Sequence, residues 1–174
     1  ILSTGMNDLK SVKLTVNLIN KRVPIALLHT TNLYPTPPHL VRLGAMDDLA
    51  NEFKEIPVGL SDHTTNNLSS LAAIAKGATI IERHYTDKKS RKGPDIICSM
   101  DEHEASDLIK NSLELYTMLG GQKKAALEEE VTSNFAFSSV VTIKDIKKGD
   151  VFSNKNIWVK RPGNGEIPAS EFDN

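Results

Sequence analysis

Along the first 120 residues, short apolar runs alternate with longer stretches whose apolar positions recur at helical spacing. The runs at 1–3, 25–29, 58–61 and 79–82 are too short for helices and read as buried strands. The segments 7–20, 40–53 and 67–76 read as helices, and a longer one runs from about Asp101 to Leu119. In the first helix, Leu9, Val12, Leu14, Val16, Leu18 and Ile19 are expected to form a face packed on a sheet. Asp101 followed by Glu104 has the pattern of a capping box for the last helix. Strand and helix in strict alternation predict an α/β fold with a parallel sheet. Four units suit either half of an eight-stranded barrel or a small open sheet. The chain opens on Ile1 without an initiator Met, which favours strands five to eight of a (β/α)8 TIM barrel, the C-terminal half, inside a longer protein.

The pattern changes after Gly120-Gly121. Residues 121–137 are expected to be a linker, its 122–130 part being polar and charged. Residues 138–174 carry a different signal. A β-rich run, 137–142, continues into 143–152 with a turn at Lys148-Gly149-Asp150, and a further strand is expected over 156–161 before Pro162-Gly163. This is a small β module, shorter than the roughly 40 residues that a core of its own requires, and is expected to be truncated.

Charge and composition narrow the function classes. With 21 basic and 22 acidic side chains, the chain gives no electrostatic reason to bind nucleic acid or an anionic membrane. No apolar run approaches the roughly 18–20 residues of a membrane span. Residues 1–5 lack the basic region of a signal peptide, and the one cysteine, Cys98, has no intrachain partner. A reducing, cytoplasmic setting is therefore expected.

Candidate chemistry gathers at the ends of the expected strands. His63 closes the run beginning at Ile56, and His84 closes the run beginning at Ala78. The two histidines are 21 residues apart, one strand–helix–strand repeat, so both imidazoles are expected at the same end of neighbouring parallel strands. That is a ready divalent-metal site, suited to Mn²⁺, Fe²⁺, Co²⁺ or Zn²⁺ more than to Ca²⁺. Asp62 and Glu82 flank them. Strand alternation puts Glu82 on the face of His84, as a third ligand or an orienting group, and turns Arg83 away. The loop after the second strand, Thr30-Thr31-Asn32-Leu33-Tyr34-Pro35-Thr36-Pro37-Pro38, offers the amide of Asn32 and the hydroxyl of Tyr34 on a proline-stiffened backbone. Ser3-Thr4-Gly5 and Ser61 precede helices, where a hydroxyl serves either as N-cap or as anion contact. Asp95, after Gly93-Pro94, stands near the mouth of the last strand and can bind substrate hydroxyls. Arg161 reads equally as a surface charge.

Together these stretches resemble the sialic acid synthase family, the bacterial N-acetylneuraminate synthases included. The matching segments are Ser3-Thr4-Gly5-Met6, Leu28 through Pro37, Gly59-Leu60-Ser61-Asp62-His63-Thr64, Ile81 through Thr86, Gly93-Pro94-Asp95, Phe135-Ala136-Phe137 and Val159 through Gly163. The resemblance implies a transferase that condenses phosphoenolpyruvate with N-acetylmannosamine, giving N-acetylneuraminic acid and phosphate in sialic acid biosynthesis. It implies His63 and His84 as catalytic metal ligands, usually for manganese, with Mg²⁺ or Co²⁺ as alternatives. Ser3, Asn32 and Ser61 fall where the family contacts phosphoenolpyruvate, and Tyr34 and Asp95 where it contacts the amino sugar. The β module resembles the family's antifreeze-like (SAF, β-clip) domain, which reaches over the partner's barrel in a domain-swapped homodimer. Thr132, Phe135 and Arg161 match residues that reach the partner's site, Arg161 being directed at the N-acetyl group. Where Thr30 stands, the family often has Cys. Its phosphate-binding lysines and catalytic glutamate have no counterpart in the chain, so a polypeptide limited to these residues is expected to be inactive. The alternatives are a legionaminic or pseudaminic acid synthase with the same chemistry on another amino sugar, a barrel metal-dependent hydrolase, and a non-enzymatic sugar-binding module.

Overall fold

The computed structural model describes residues 1–19 and 22–173. The expected end of the first helix, Asn20, and the last residue of the β module, Asn174, lie outside the described residues. The chain divides into two compact units, Ile1–Gly120 and Gly121–Asn174.

The first unit runs β1 (Leu2–Ser3), α1 (Leu9–Ile19), β2 (Leu27–Thr30), α2 (Gly44–Glu52), β3 (Val58–Asp62), α3 (Leu68–Ala75), β4 (Ile81–Arg83) and α4 (Glu102–Met118). The four strands form one sheet in the order β1-β2-β3-β4, and each neighbouring pair is parallel. Sequential order, with no reversal of direction across the sheet, is the winding of a barrel; a doubly wound sheet places later strands on the other side of the first. The unit is four staves of a (β/α)8 barrel.

Register sorts the side chains. Leu27 pairs with Val58 and with Leu2, and Leu60 with Ile81. These residues share one face and pack with Val12 and Val16 of α1, Met46 and Leu49 of α2, and Ala73 of α3. The apolar core therefore lies between the sheet and the helices. The expected apolar face of α1 is narrower than its sequence suggested: Val12 and Val16 are buried, whereas Leu14 and Leu18 are exposed. At about 100° per residue, positions 12 and 16 nearly coincide around the axis while 14 and 18 fall opposite. The capping box of α4 is present, with Glu104 N–H donating to Asp101 Oδ1 (2.9 Å) and Asp101 N–H to Glu104 Oε2 (3.1 Å).

The second unit contains α5 (Glu130–Ala136) and an antiparallel pair, β5 (Ser139–Thr142) and β6 (Ile157–Lys160). Helical turns thus occupy part of the segment expected to be linker; Ala126 N–H donates to Glu129 Oε2 (2.7 Å) where they begin. Among the described residues of this unit Ser139 alone is buried, donating to Pro162 O (3.2 Å) and accepting from Gly165 N–H (2.8 Å). A polar knot and a Trp158–Phe172 edge contact (5.3 Å) take the place of a large apolar core.

Gly59, in the middle of β3, tests this packing. A Cβ there would stand 2.1 Å from Ile80 O and 2.8 Å from Leu28 Cδ2, and backbone cannot move aside as a side-chain tip can. Gly59→Ala is expected to destabilise the complete gene product by about 1–3 kcal/mol in urea unfolding. Gly44→Ala, where an added Cβ meets nothing within 4 Å, is expected to be neutral or slightly stabilising. Equal stability of the two variants would count against the strand packing.

Candidate active site

The sheet face opposite the helices carries, beyond Leu28, a set of polar side chains. Ser3 Oγ and Thr30 Oγ1 are hydrogen-bonded at 2.9 Å, and Ser61 Oγ donates to Glu82 Oε1 at 2.8 Å. Thr30 is the register partner of Ser61, and Ser61 of Glu82, so one row of hydroxyls and a carboxylate crosses β2, β3 and β4, and Ser3 of β1 joins it through Thr30. Two residues beyond Ser61 and Glu82 stand His63 and His84. Their ring centroids are 5.3 Å apart, inclined at 70°. Tyr34 completes the cluster, its ring 4.1 Å from that of His63 and 5.8 Å from that of His84.

The protonation of His63 follows from its partner. Nδ1 lies 2.9 Å from Thr31 O. A carbonyl only accepts, so Nδ1 carries a hydrogen, and in the neutral ring Nε2 then keeps its lone pair. This is the arrangement of a metal-ligating imidazole, whose second nitrogen donates to a carbonyl or carboxylate. His84 Nδ1 has Asp95 Oδ2 at 3.8 Å, and both side chains are about one-third exposed. Asp95 itself sits in the left-handed region (φ 65°); its main-chain carbonyl accepts from Cys98 Sγ (3.2 Å) and Ser99 Oγ (2.8 Å). Burial, then the charge of Asp95, pushes the Cys98 thiol up, which disfavours its thiolate.

The donor set can be weighed for a metal. Among the described residues, no three His, Cys, Asp or Glu side chains gather as a cation site. Glu82, considered above as a third ligand, is engaged with Ser61. The residues fit an open site with two imidazole ligands, whose remaining positions solvent or substrate would fill.

Asn32 lies above this row. Its Oδ1 is buried without a hydrogen-bond partner, and a Cβ on Gly5 would fall 1.8 Å from it; a glycine at position 5 is what admits the amide. Ser3, Asn32, Tyr34, Ser61, His63 and His84 thus share one face, with Asp95 at its margin beside His84. Thr132, Phe135 and Arg161 belong to the second unit, where Thr132 and Phe135 are exposed on α5. Arg161 follows β6, and Gly163 N–H donates to Asn134 O (3.0 Å), tying its turn to α5.

Asp62 flanks His63 in the sequence but faces the helices. It is 2% exposed and accepts from Thr64 N–H (2.9 Å), Ser69 Oγ (2.5 Å) and Ser70 Oγ (2.6 Å). Arg83 turns the same way: its Nη atoms donate to Asn66 O (2.8 Å), Asn67 Oδ1 (2.6 Å) and Thr64 O (2.8 Å), and its Nε stands 3.7 Å from Asp62. This buried pair fastens the loop that follows His63. Sequence reading missed the network, although the parity that Asp62 shares with Leu60 and Arg83 with Ile81 was its signal.

Compared with known proteins, the chain matches the NeuB family over residues 1–124 and the SAF domain over 137–174. The chain belongs to the NeuB family. It is 42% identical over 178 residues to the N,N'-diacetyllegionaminic acid synthase of Campylobacter jejuni, covering 99% of this chain and 53% of that protein. The N,N'-diacetyllegionaminic acid synthase of Legionella pneumophila is 37% identical over 181 residues, covering 100% and 50%. The crystal structure of the N-acetylneuraminic acid (sialic acid) synthetase of Leptospira borgpetersenii, in complex with citrate, superposes with a TM-score of 0.69 at 30% identity, over 75% of this chain and 46% of that one. The chain spans about half the length of the curated relatives it matches. These relatives are sugar-acid synthases, and two of them carry the name of the legionaminic alternative. No helix among the described residues is long and apolar enough to cross a membrane.

One buried histidine of this NeuB-family chain lies outside the polar row. His29 is 4% exposed on the helix side, beside a cavity of about 470 Å³ also lined by Thr4, Met6, Arg42 and Asp48. Burial lowers its pKa, the hydrogen bond from Nε2 to Val41 O (2.8 Å) opposes this, and the charge of Arg42 adds to the lowering. The unfolded chain, with an imidazole near pKa 6.5, then takes up the proton more readily than the folded one. The stabilising contribution is full above about pH 6.5 and is lost as pH falls towards the folded value. Urea unfolding of the complete gene product between about pH 5 and pH 7 is expected to show stability declining on the acid side, with a shallower slope in His29→Gln. Identical slopes would assign the decline to other groups.

Proposed function

We propose that the protein condenses phosphoenolpyruvate with a bis-acetamido amino sugar, giving a legionaminic-type nonulosonic acid and phosphate. The site geometry supports a synthase through one observation above all: two imidazoles converge beside a row of hydroxyls, with the Nε2 lone pair of His63 free. Identity to the two N,N'-diacetyllegionaminic acid synthases, across essentially the whole chain, supports the bis-acetamido sugar over N-acetylmannosamine. The likeness to the Leptospira borgpetersenii synthetase favours, as second reading, the N-acetylneuraminate product.

In this reading His63 and His84 hold a divalent ion, manganese first, which when bound supplies Lewis-acid polarisation of the open-chain sugar's aldehyde oxygen. The hydroxyls of Ser3 and Ser61 and the amide of Asn32 receive the carboxylate and phosphate of phosphoenolpyruvate. On Asn32 only the Nδ2 hydrogens can donate to these anions, its buried Oδ1 being an acceptor, whereas Ser61 must exchange its bond to Glu82 for one to substrate. Tyr34, stacked on His63, and Asp95, beside His84, orient the sugar. The alkene carbon of phosphoenolpyruvate forms the new bond to the aldehyde carbon, water adds at the cationic centre left behind, and C–O cleavage releases phosphate. Holding two substrates in register is worth up to about 7–11 kcal/mol of the barrel's rate enhancement. Thr132, Phe135 and Arg161 act from the second unit on a partner's barrel in a homodimer, Arg161 on an acetamido group of the sugar.

His63→Ala in the complete gene product is expected to abolish metal-dependent phosphate release, while folding is retained by circular dichroism. Turnover that survives at saturating Mn²⁺ would end the metal role. Competition assays are expected to give a kcat/KM at least about 10-fold higher for the bis-acetamido sugar than for N-acetylmannosamine, since a site built to bond a second acetamido group rejects the sugar lacking it. The reverse order would establish the N-acetylneuraminate reading instead. Arg161→Ala is expected to weaken sugar binding by about 1.5–3 kcal/mol through a lost charge-assisted hydrogen bond, and an unchanged sugar KM would remove Arg161 from the site.

A further inference from the structure

We propose that Thr36 is a positioning residue that fixes the tautomer and pose of His63 through the β2–α2 loop. The proposal rests on the reading of His63 as a metal ligand and adds to it a residue that touches neither metal nor substrate.

The loop grips His63 from three sides. The Thr31 carbonyl receives its Nδ1–H at 2.9 Å. The Tyr34 ring lies on its imidazole at 4.1 Å, tilted by 33°. Thr36 N–H donates to its main-chain oxygen at 2.8 Å. Within 35–38, prolines occupy every position but 36. Thr36 therefore carries the one backbone donor in that run, and it is spent on His63.

The Thr36 side chain holds the same loop together from within. It is 5% exposed. Its hydroxyl donates to Leu33 O at 2.8 Å, with Thr31 O also in reach at 3.2 Å. Leu33 N–H closes the turn onto Thr31 O at 3.0 Å. One hydroxyl thus clamps the two carbonyls that bracket Asn32, and one of those carbonyls is the acceptor that sets the His63 tautomer. The far end of the loop is anchored separately, by Thr31 Oγ1 on Leu40 O (2.7 Å) and His29 Nε2 on Val41 O (2.8 Å). The void lined by Thr31, Thr36, Ser61 and His63 is about 10 Å³, room for at most a single water to replace a lost hydroxyl.

Thr36→Val keeps the volume and the N–H bond to His63 but removes the hydroxyl; Thr36→Ser restores it. In the complete gene product, ¹⁵N-histidine-labelled and metal-free at about pH 8 where imidazole is neutral, long-range ¹H–¹⁵N spectra report the tautomer. The His63 signal is assigned by its loss in His63→Ala. The expected result is a pure Nδ1–H form in the wild type and in Thr36→Ser, and a mixture of tautomers in Thr36→Val. Mn²⁺ affinity, read by electron paramagnetic resonance without substrate, is expected to fall roughly 10-fold in Thr36→Val alone, the scale of losing a partner that orients a ligand. Unchanged tautomer and unchanged affinity in Thr36→Val would overturn the proposal. Should that variant fail to fold, Thr36→Cys, with a weaker donor, is read by the same two criteria. The His63→Ala control separates the two layers: undiminished Mn²⁺ binding there would sink the ligand assignment, while the tautomer reading still decides the role of Thr36.

Discussion

Side chains along a strand point alternately to opposite faces, and parallel pairing in a single register extends that choice across a whole sheet. In this NeuB-family chain, pairing Leu27 with Val58 and Thr30 with Ser61 sends Leu27 and Val58 towards the helices and the two hydroxyls the other way. A slip of one residue would bury Ser61 under α2 and expose Leu60. The apolar core therefore does more than stabilise. It fixes which residues face the site, and because Ser61 is paired with Glu82, it obliges His63 and His84 to emerge side by side. The 21-residue spacing of the histidines is the covalent expression of that register.

The same alternation explains how much could be read in the sequence. Strand–helix alternation, the capping box at Asp101 and the convergence of His63 with His84 are local or periodic, and the structure reproduces each. The distribution of α1 leucines was less legible, because a leucine-rich helix does not declare which of its faces meets the sheet. Asp62 was left without a role, although its parity with Leu60 sends it to the helix side. The Asp62–Arg83 network and the bonds of Thr36 depend on loops folding back over several residues, and hydropathy carries no trace of this. The sugar was least legible of all. The contacts proposed for it are a few polar atoms on a scaffold that several synthases share, so the resemblance implied N-acetylmannosamine where sequence identity supports the legionaminic alternative.

The two faces also divide the polar groups by what burial demands of them. On the helix side, Asp62 and Arg83 are almost fully enclosed, and a buried ion pair recovers its desolvation only when its remaining hydrogen-bonding capacity is met. Here the hydroxyls of Ser69 and Ser70 and the carbonyls of Thr64 and Asn66 meet nearly all of it, leaving Arg83 Nε unpartnered. Such a network tolerates few alternative geometries, and it holds the backbone that leaves His63. On the opposite face Ser3 with Thr30 and Ser61 with Glu82 are joined by single hydrogen bonds, and Asn32 Oδ1 has none. Rigid bonding behind the histidines and spare bonding capacity in front of them is the division expected of a binding site, where the scaffold must not adapt and the ligand-facing atoms must still have bonds to make.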